Sequence, residues 1–174
     1  MAVEEAALQV PVHEHEEHAH QKLVIIASSD DLDKTWAQLL IANAGAAMGM
    51  ETTIFYTFWG LFSLVEDGKR TGENWMQKMV AMLDRPGMGH LKLSRMNFGG
   101  AGPAMMKKLA REHNVAGPGE LLQLALDMGV KLVPCQMTMD LLGLKREDLI
   151  EGVGEPVGAT AMLLEARDAA TFFI

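Results

Sequence analysis

The run Lys22-Leu23-Val24-Ile25-Ile26-Ala27 limits the possible folds of this chain more than any other segment. It is apolar, β-branched and without alternation, the pattern of a strand buried on both faces. Ser28-Ser29-Asp30-Asp31 follows and supplies N-cap residues for a helix. The spacing predicts that helix from about Asp31 to Met48, with Leu32, Trp36, Leu39, Leu40, Asn43 and Ala47 recurring at helical intervals. Ala42, Ala44, Gly45 and Ala46 let its second half pack closely, and Gly49 terminates it. A second strand is predicted at Glu51-Thr52-Thr53-Ile54-Phe55-Tyr56. The intervening helix is long enough for a right-handed crossover, so the two strands should be parallel.

The alternation continues less regularly. Trp59-Gly60-Leu61-Phe62 begins a short helix. Asn74 to Leu83 reads as a helix with Met76, Met79, Val80 and Leu83 on one face. Residues 85–103 are rich in Gly and Pro and read as loop. Helices are expected at Ala104 to His113 and Gly119 to Met128, and a strand at residues 130–134. A further strand near Asp148 to Val153, a helix from about Pro156 to Arg167 and a final strand from Ala170 to Ile174 complete the reading. Strands alternating with helices predict a three-layer α/β/α sandwich on a mostly parallel sheet of about five strands. Residues 1–21 lack a sustained apolar period and are expected to form a mobile tail, with one domain over 22–174. A hydrophobic fraction of 49% in 174 residues supplies the core of one such domain.

A net charge of -8 argues against a general nucleic-acid role, because phosphate binding needs a basic surface. The longest apolar-rich stretch, Thr52 to Val65, is shorter than a bilayer span requires. The N-terminus lacks the basic-then-apolar order of a secretory signal, so a cytoplasmic location is expected. Contact with a membrane surface through Phe55, Phe58, Trp59 and Phe62 is a less favoured alternative.

Cys135 is the only cysteine, which excludes an intramolecular disulfide and a CxxC pair and suits a reducing compartment. It stands between the apolar run Val130-Lys131-Leu132-Val133-Pro134 and the helical segment Gln136-Met137-Thr138-Met139-Asp140-Leu141-Leu142, which Gly143 stops. A thiol at a strand-to-helix junction meets unpaired N–H groups and the positive end of the helix dipole, which favour the reactive thiolate. The alternative is a buried structural cysteine. In parallel α/β sheets chemistry gathers at the carboxyl ends of the strands. Three segments should therefore converge as a substrate-binding site around the sulfur: Ser28, Ser29 and Asp30 after the first strand, Thr57 to Gly60 with Trp59 after the second, and Cys135 with Gln136 after the third. Ser28, Ser29 and Gln136 are expected as hydrogen-bond donors to the anionic sulfur, with Phe58 and Trp59 shielding it from water.

The chain resembles the DsrE/DsrF-like sulfur-relay family, in particular its DsrE-like "peroxiredoxin family" branch. The resemblance rests on Ile26 to Lys34, on Ala46 to Leu61 and on Gly129 to Gly143, with a Met- and Gly-rich middle, and covers about residues 22–174. It implies a parallel α/β fold, assembly into homo-oligomers, and a cysteine that carries sulfane sulfur as a persulfide between donor and acceptor proteins. Cys135 occupies that cysteine's position. The further cysteine of some relatives is missing here, which leaves carriage on a single cysteine intact. No cofactor is implied.

Other motifs have plainer readings. His13, His15, His18 and His20 alternate with Glu14, Glu16 and Glu17 in a set that could bind divalent metal weakly, although a solvated tail is the favoured reading. Asn97-Phe98-Gly99-Gly100-Ala101-Gly102-Pro103 precedes a helix bearing Lys107 and Lys108; close helix packing is favoured over a phosphate cradle. Of the 14 Met, Met76, Met79, Met82, Met88, Met96, Met105 and Met106 concentrate in the middle region and suit packing or interfaces better than Cu(I) binding. Three functions remain open: a sulfur carrier or sulfurtransferase using Cys135, a thiol peroxidase or redox sensor, and a non-catalytic assembly or ligand-binding protein.

Overall fold

The computed structural model describes residues 21–174; the histidine tail lies outside the described residues. The elements are β1 (Lys22–Ala27), α1 (Leu32–Ala47), β2 (Glu51–Tyr56), α2 (Trp75–Leu83), α3 (Ala101–Glu112), α4 (Pro118–Asp127), β3 (Lys131–Pro134), α5 (Gln136–Leu142), α6 (Ala159–Glu165) and β4 (Ala169–Phe173). A 3-10 helix, Phe58–Leu64, follows β2. The strands form one sheet in the order β3-β2-β1-β4, parallel throughout. The β1-α1-β2 unit matches the sequence reading within a residue at each end.

Alternate side chains divide the sheet between two apolar clusters, as the pleat requires. Leu23, Ile25 and Ala27 of β1 join Ile54, Tyr56 and Leu132 against Leu39 and Ala42 of α1, Leu121 and Ala125 of α4 and Phe62 of the 3-10 helix. The opposite face carries a much smaller cluster of Val24, Phe55, Cys135 and Met162, the last from α6. Helices thus cover both faces, but unequally. Each fully buried aliphatic side chain contributes roughly 1.5–3 kcal/mol, so the α1/α4 face dominates cohesion.

The buried face of α1 is rotated from the expected one. Thr35, Gln38, Ala42 and Gly45 are buried with Leu32, Leu39 and Asn43, while Leu40 is 50% exposed and Ala47 faces solvent. Gly45 explains the shift: a Cβ there would stand 2.4 Å from Leu23 Cδ2, so this side of the helix presses onto β1.

Three boundaries differ for local reasons. The sheet has four strands, not five. Around 148–153 there is no ladder. Asp148 ends a 3-10 turn, Leu149 bridges Val65 in antiparallel sense, and Val153 makes a single parallel bridge to Leu132. Gly152, at φ +85°, turns the chain between the two bridges. The helix expected from Pro156 forms only over Ala159–Glu165, because Val157 is held extended by backbone bonds with β3's end: its amide donates to Pro134 O (3.1 Å) and its carbonyl accepts from the Gln136 amide (3.0 Å). Conversely, α3 starts three residues early, at Ala101, directly after a 3-10 turn at Phe98–Gly100. The 85–103 loop holds a second such turn, Met88–His90.

No helix among the described residues is long and apolar enough to cross a membrane. Phe55 and Phe62 are 6% and 1% exposed and are core residues, so the surface contact considered for them is ruled out; only Phe58 and Trp59 of that set are exposed.

Candidate functional site

The carboxyl ends of β1, β2 and β3 are stitched together by backbone and hydroxyl groups. The Thr57 amide donates to Ala27 O (2.9 Å), and the Cys135 amide donates to Tyr56 O (2.9 Å). Thr57 and Thr138 share a hydroxyl hydrogen bond (3.1 Å), and the Phe58 amide donates to Thr138 Oγ1 (3.1 Å). The turn after β2 is thereby tied to the first turn of α5. Phe58 adopts φ +46°, a left-handed conformation unfavourable for a bulky residue. Gly60 is required by close approach: a Cβ would lie 2.3 Å from Ala27 O. That contact places the 3-10 helix directly against the β1–Ser28 junction. Trp59 packs its ring on Phe62 (centroids 5.8 Å apart, 53° between planes), a member of the α1/α4 cluster, and remains 42% exposed.

Cys135 is the N-cap residue of α5, with extended backbone (φ -76°, ψ 117°). Its carbonyl accepts the Met139 amide (3.0 Å), while the Gln136 amide is taken by Val157 O. The Met137 and Thr138 amides, the next two of the helix, cannot be paired within α5. The thiol is free and 4% exposed, among Val24, Phe55 and Met162, with Val157 and Ala166 packed on the same cluster. Its cover is therefore α6 and the segment leading into it.

The other expected residues divide. Ser28 Oγ donates to Ile174 O (3.1 Å), fastening the end of β4. Ser29 Oγ donates to the Asp31 carboxylate (2.8 Å), and Gln136 Nε2 donates to Asp140 (2.8 Å). These polar atoms serve local structure. Asp30 is set apart by its charged neighbours on the loop after α2. Burial pushes its carboxyl up to about 6, the Asp84 and Asp31 charges push the same way, and its own backbone hydrogen bond and Lys92 oppose them. It exchanges a proton close to neutral pH, a property common at functional sites. Tyr56, next to the junction, is fully buried with no partner for its hydroxyl, and burial raises its pKa.

Sequence reasoning included Thr57 but missed Thr138, Val157 and Met162 as parts of this site. No local pattern marks them: they meet only once the strand ends are brought together. Among the described residues no cluster of three His, Cys, Asp or Glu could hold a metal ion.

Comparison with known proteins agrees with this architecture. The chain is 39% identical over 149 residues to Uncharacterized protein YrkE of Bacillus subtilis, covering 85% of this chain and 92% of that one. It is 33% identical over 151 residues to Sulfur carrier protein DsrE2 of Allochromatium vinosum, covering 81% and 89%. The crystal structure of the ychN protein from E. coli superposes with a TM-score of 0.54 at 14% identity, covering 88% of this chain and 99% of that one, a likeness of fold. Residues 19–174 match the family model as a whole, and the chain belongs to the DsrE/DsrF/DrsH-like family.

Proposed function

We propose that this protein is a sulfur carrier that accepts sulfane sulfur as a persulfide on Cys135 and delivers it to a partner thiol. The observation that carries the reading is the placement of the chain's only cysteine as N-cap of α5, at the carboxyl end of β3, in a relative of a sulfur carrier protein. The Cys135 thiolate attacks the outer sulfur of a donor persulfide. A new Sγ–S bond forms, the donor's S–S bond breaks, and the donor leaves as a thiolate. An acceptor thiolate then attacks the carried sulfur and releases Cys135 as thiolate, so the relay needs no net oxidant or reductant. The resting thiol makes no capping bond in α5; the Met137 and Thr138 amides, unpaired within the helix, are the donors a rotated, anionic sulfur would find there. Phe58 and Trp59, both exposed on the turn after β2 that Gly60 fixes, offer apolar contact to a docking donor or acceptor protein. Ser28, Ser29 and Gln136 hold the junction in shape. The partners are thiol or persulfide proteins or small persulfides, and the setting is a reducing cytoplasm.

The near-complete burial of Cys135 favours a second reading, in which the thiol is structural. Mass spectrometry after exposure to glutathione persulfide or polysulfide separates the two. The carrier reading expects one added sulfur on the wild type and none on Cys135→Ser, with both proteins melting at similar temperatures. A wild-type thiol that never gains sulfur, in a protein that Cys135→Ser destabilises, would leave the structural role alone.

A further inference from the structure

Residues 85–111 carry six Lys or Arg (Arg85, Lys92, Arg95, Lys107, Lys108, Arg111) and no Asp or Glu, in a chain whose net charge is -8. Arg85, Arg95 and Arg111 have no acidic partner among the described residues; Lys92 pairs with Asp84 and Lys108 with Glu112. The same segment presents large apolar side chains to solvent: Phe98 is 73% exposed, Met96 62% and Met105 56%, with Leu109 one turn further along α3. These residues are interleaved with the basic ones along a loop and one helix. Met96 (φ +60°) and Phe98 (φ +40°) also hold left-handed backbone, which costs free energy that burial of their side chains does not repay.

Beside Phe98 lies a cleft of about 530 Å³ whose lining includes His90, Lys92, Lys107 and the Gly99-Gly100 turn. Asp84 pairs with Lys92 and the Asp67 carboxylate accepts the Gly89 amide at its edge, so Lys107 is the lining lysine without an acidic partner among the described residues. Its attraction for an anion rests on side chains rather than on the helix end, because the Gly100 and Gly102 amides both donate to Asn97 O. A cleft that carries Lys107 and is roomy enough for a phospholipid headgroup, on a segment with exposed aromatic and thioether side chains, matches a phospholipid: headgroup in the cleft, Phe98 and Met105 among the acyl chains. A purely ionic partner would leave these apolar residues unexplained, and a purely apolar one the arginines Arg85, Arg95 and Arg111 that have no acidic partner among the described residues.

We propose that the loop and helix over residues 95–111 form a peripheral docking surface for an anionic phospholipid bilayer. This surface is independent of the sulfur-carrier reading. The attraction is local, since charges beyond a Debye length of about 8 Å are screened at physiological salt. Basic residues near the surface and inserted apolar residues act together.

The test is flotation of the full-length protein with vesicles of phosphatidylglycerol and phosphatidylcholine, against vesicles of phosphatidylcholine alone. The expected result is flotation with the anionic vesicles only, weakened at least tenfold by high salt. Phe98→Ser with Met105→Ser, and separately Arg95→Glu with Arg111→Glu, should each weaken it at least tenfold while leaving the melting temperature near wild type. Absence of flotation, equal flotation with neutral vesicles, or full retention in both double variants overturns the proposal. So does a Phe98/Met105 variant that converts an oligomer to monomer when the wild type ignores vesicles, because the face is then a contact between copies. Inorganic phosphate that competes fully at millimolar concentration would mark the cleft as a free-anion site and equally overturn the bilayer reading.

Discussion

At the scale of single residues, Asp30 shows how burial turns an ordinary carboxylate into a pH-dependent load on the fold. Its pKa rises from 3.8 in the unfolded chain to about 6 when folded. Between those values the folded state holds a proton that the unfolded state has released, so stability falls as pH rises through this window. The penalty is fully present above pH 6 and absent below the unfolded value. By linkage it is on the order of 3 kcal/mol. Asp30→Asn should therefore stabilise the protein at pH 7.5 and flatten the decline between pH 4 and 6. Urea unfolding at pH 4.5 and 7.5 measures this; equal pH slopes in wild type and variant would place the load elsewhere. The sequence displayed Asp30 as a helix-start residue but not this property. The Asp84 charge that helps raise it comes from the end of α2, more than fifty positions away.

At the scale of elements, the two faces of the sheet differ in how firmly they are held. The α1/α4 face buries a large continuous cluster, whereas α6 buries only Met162 and leaves Leu163 and Leu164 in solvent. An element with so few buried contacts opens locally at low free-energy cost. The thiol of Cys135 lies beneath it, so local opening would reconcile its buried resting position with the exchange chemistry proposed for it. Met162→Ala removes the main anchor; a truncation of this size in a core costs about 2–5 kcal/mol. It should accelerate alkylation of Cys135 at least tenfold under native conditions. An unchanged rate would mean that reagents reach the thiol without displacing α6. The junction β3-Cys135-α5 was legible in the sequence because an apolar run, a cap position and a stopping glycine fall within a dozen residues. The cover was not. The segment around Val153 has strand-like composition, but the Gly152 turn and single bridges to Leu132 and Val65 prevent a ladder. Val157 is extended through its bonds to Pro134 and Gln136, which no local pattern announces.

At the scale of the whole molecule, the two sheet edges are treated differently. Beyond β3 the chain returns to make parallel bridges at Val153 and Val157, so that edge is partly capped. Beyond β4 no strand pairs among the described residues, and Phe172 and Phe173 are 46% and 72% exposed. An open edge with exposed aromatics is a template for pairing with another copy. Light scattering at tens of micromolar, roughly the range where such edges associate, should show an oligomer, and Phe173→Asp should shift it toward monomer. A clean wild-type monomer would count against self-association and would leave the open edge for a different partner.

The parallel register carries a last consequence, for the order in which the fold assembles. No two neighbouring strands are joined by a hairpin: Lys22 pairs with Glu51, Thr53 with Lys131, and Lys22 again with Ala169. Closing long loops costs chain entropy before any contact rewards it, so these pairings form in order of separation. The β1-α1-β2 unit is the local nucleus, and β4 docks last. Core substitutions at Ile25 or Leu39 should slow refolding, whereas Phe172→Ala should chiefly speed unfolding. Stopped-flow kinetics that reversed this pattern would place the nucleus at the other side of the sheet.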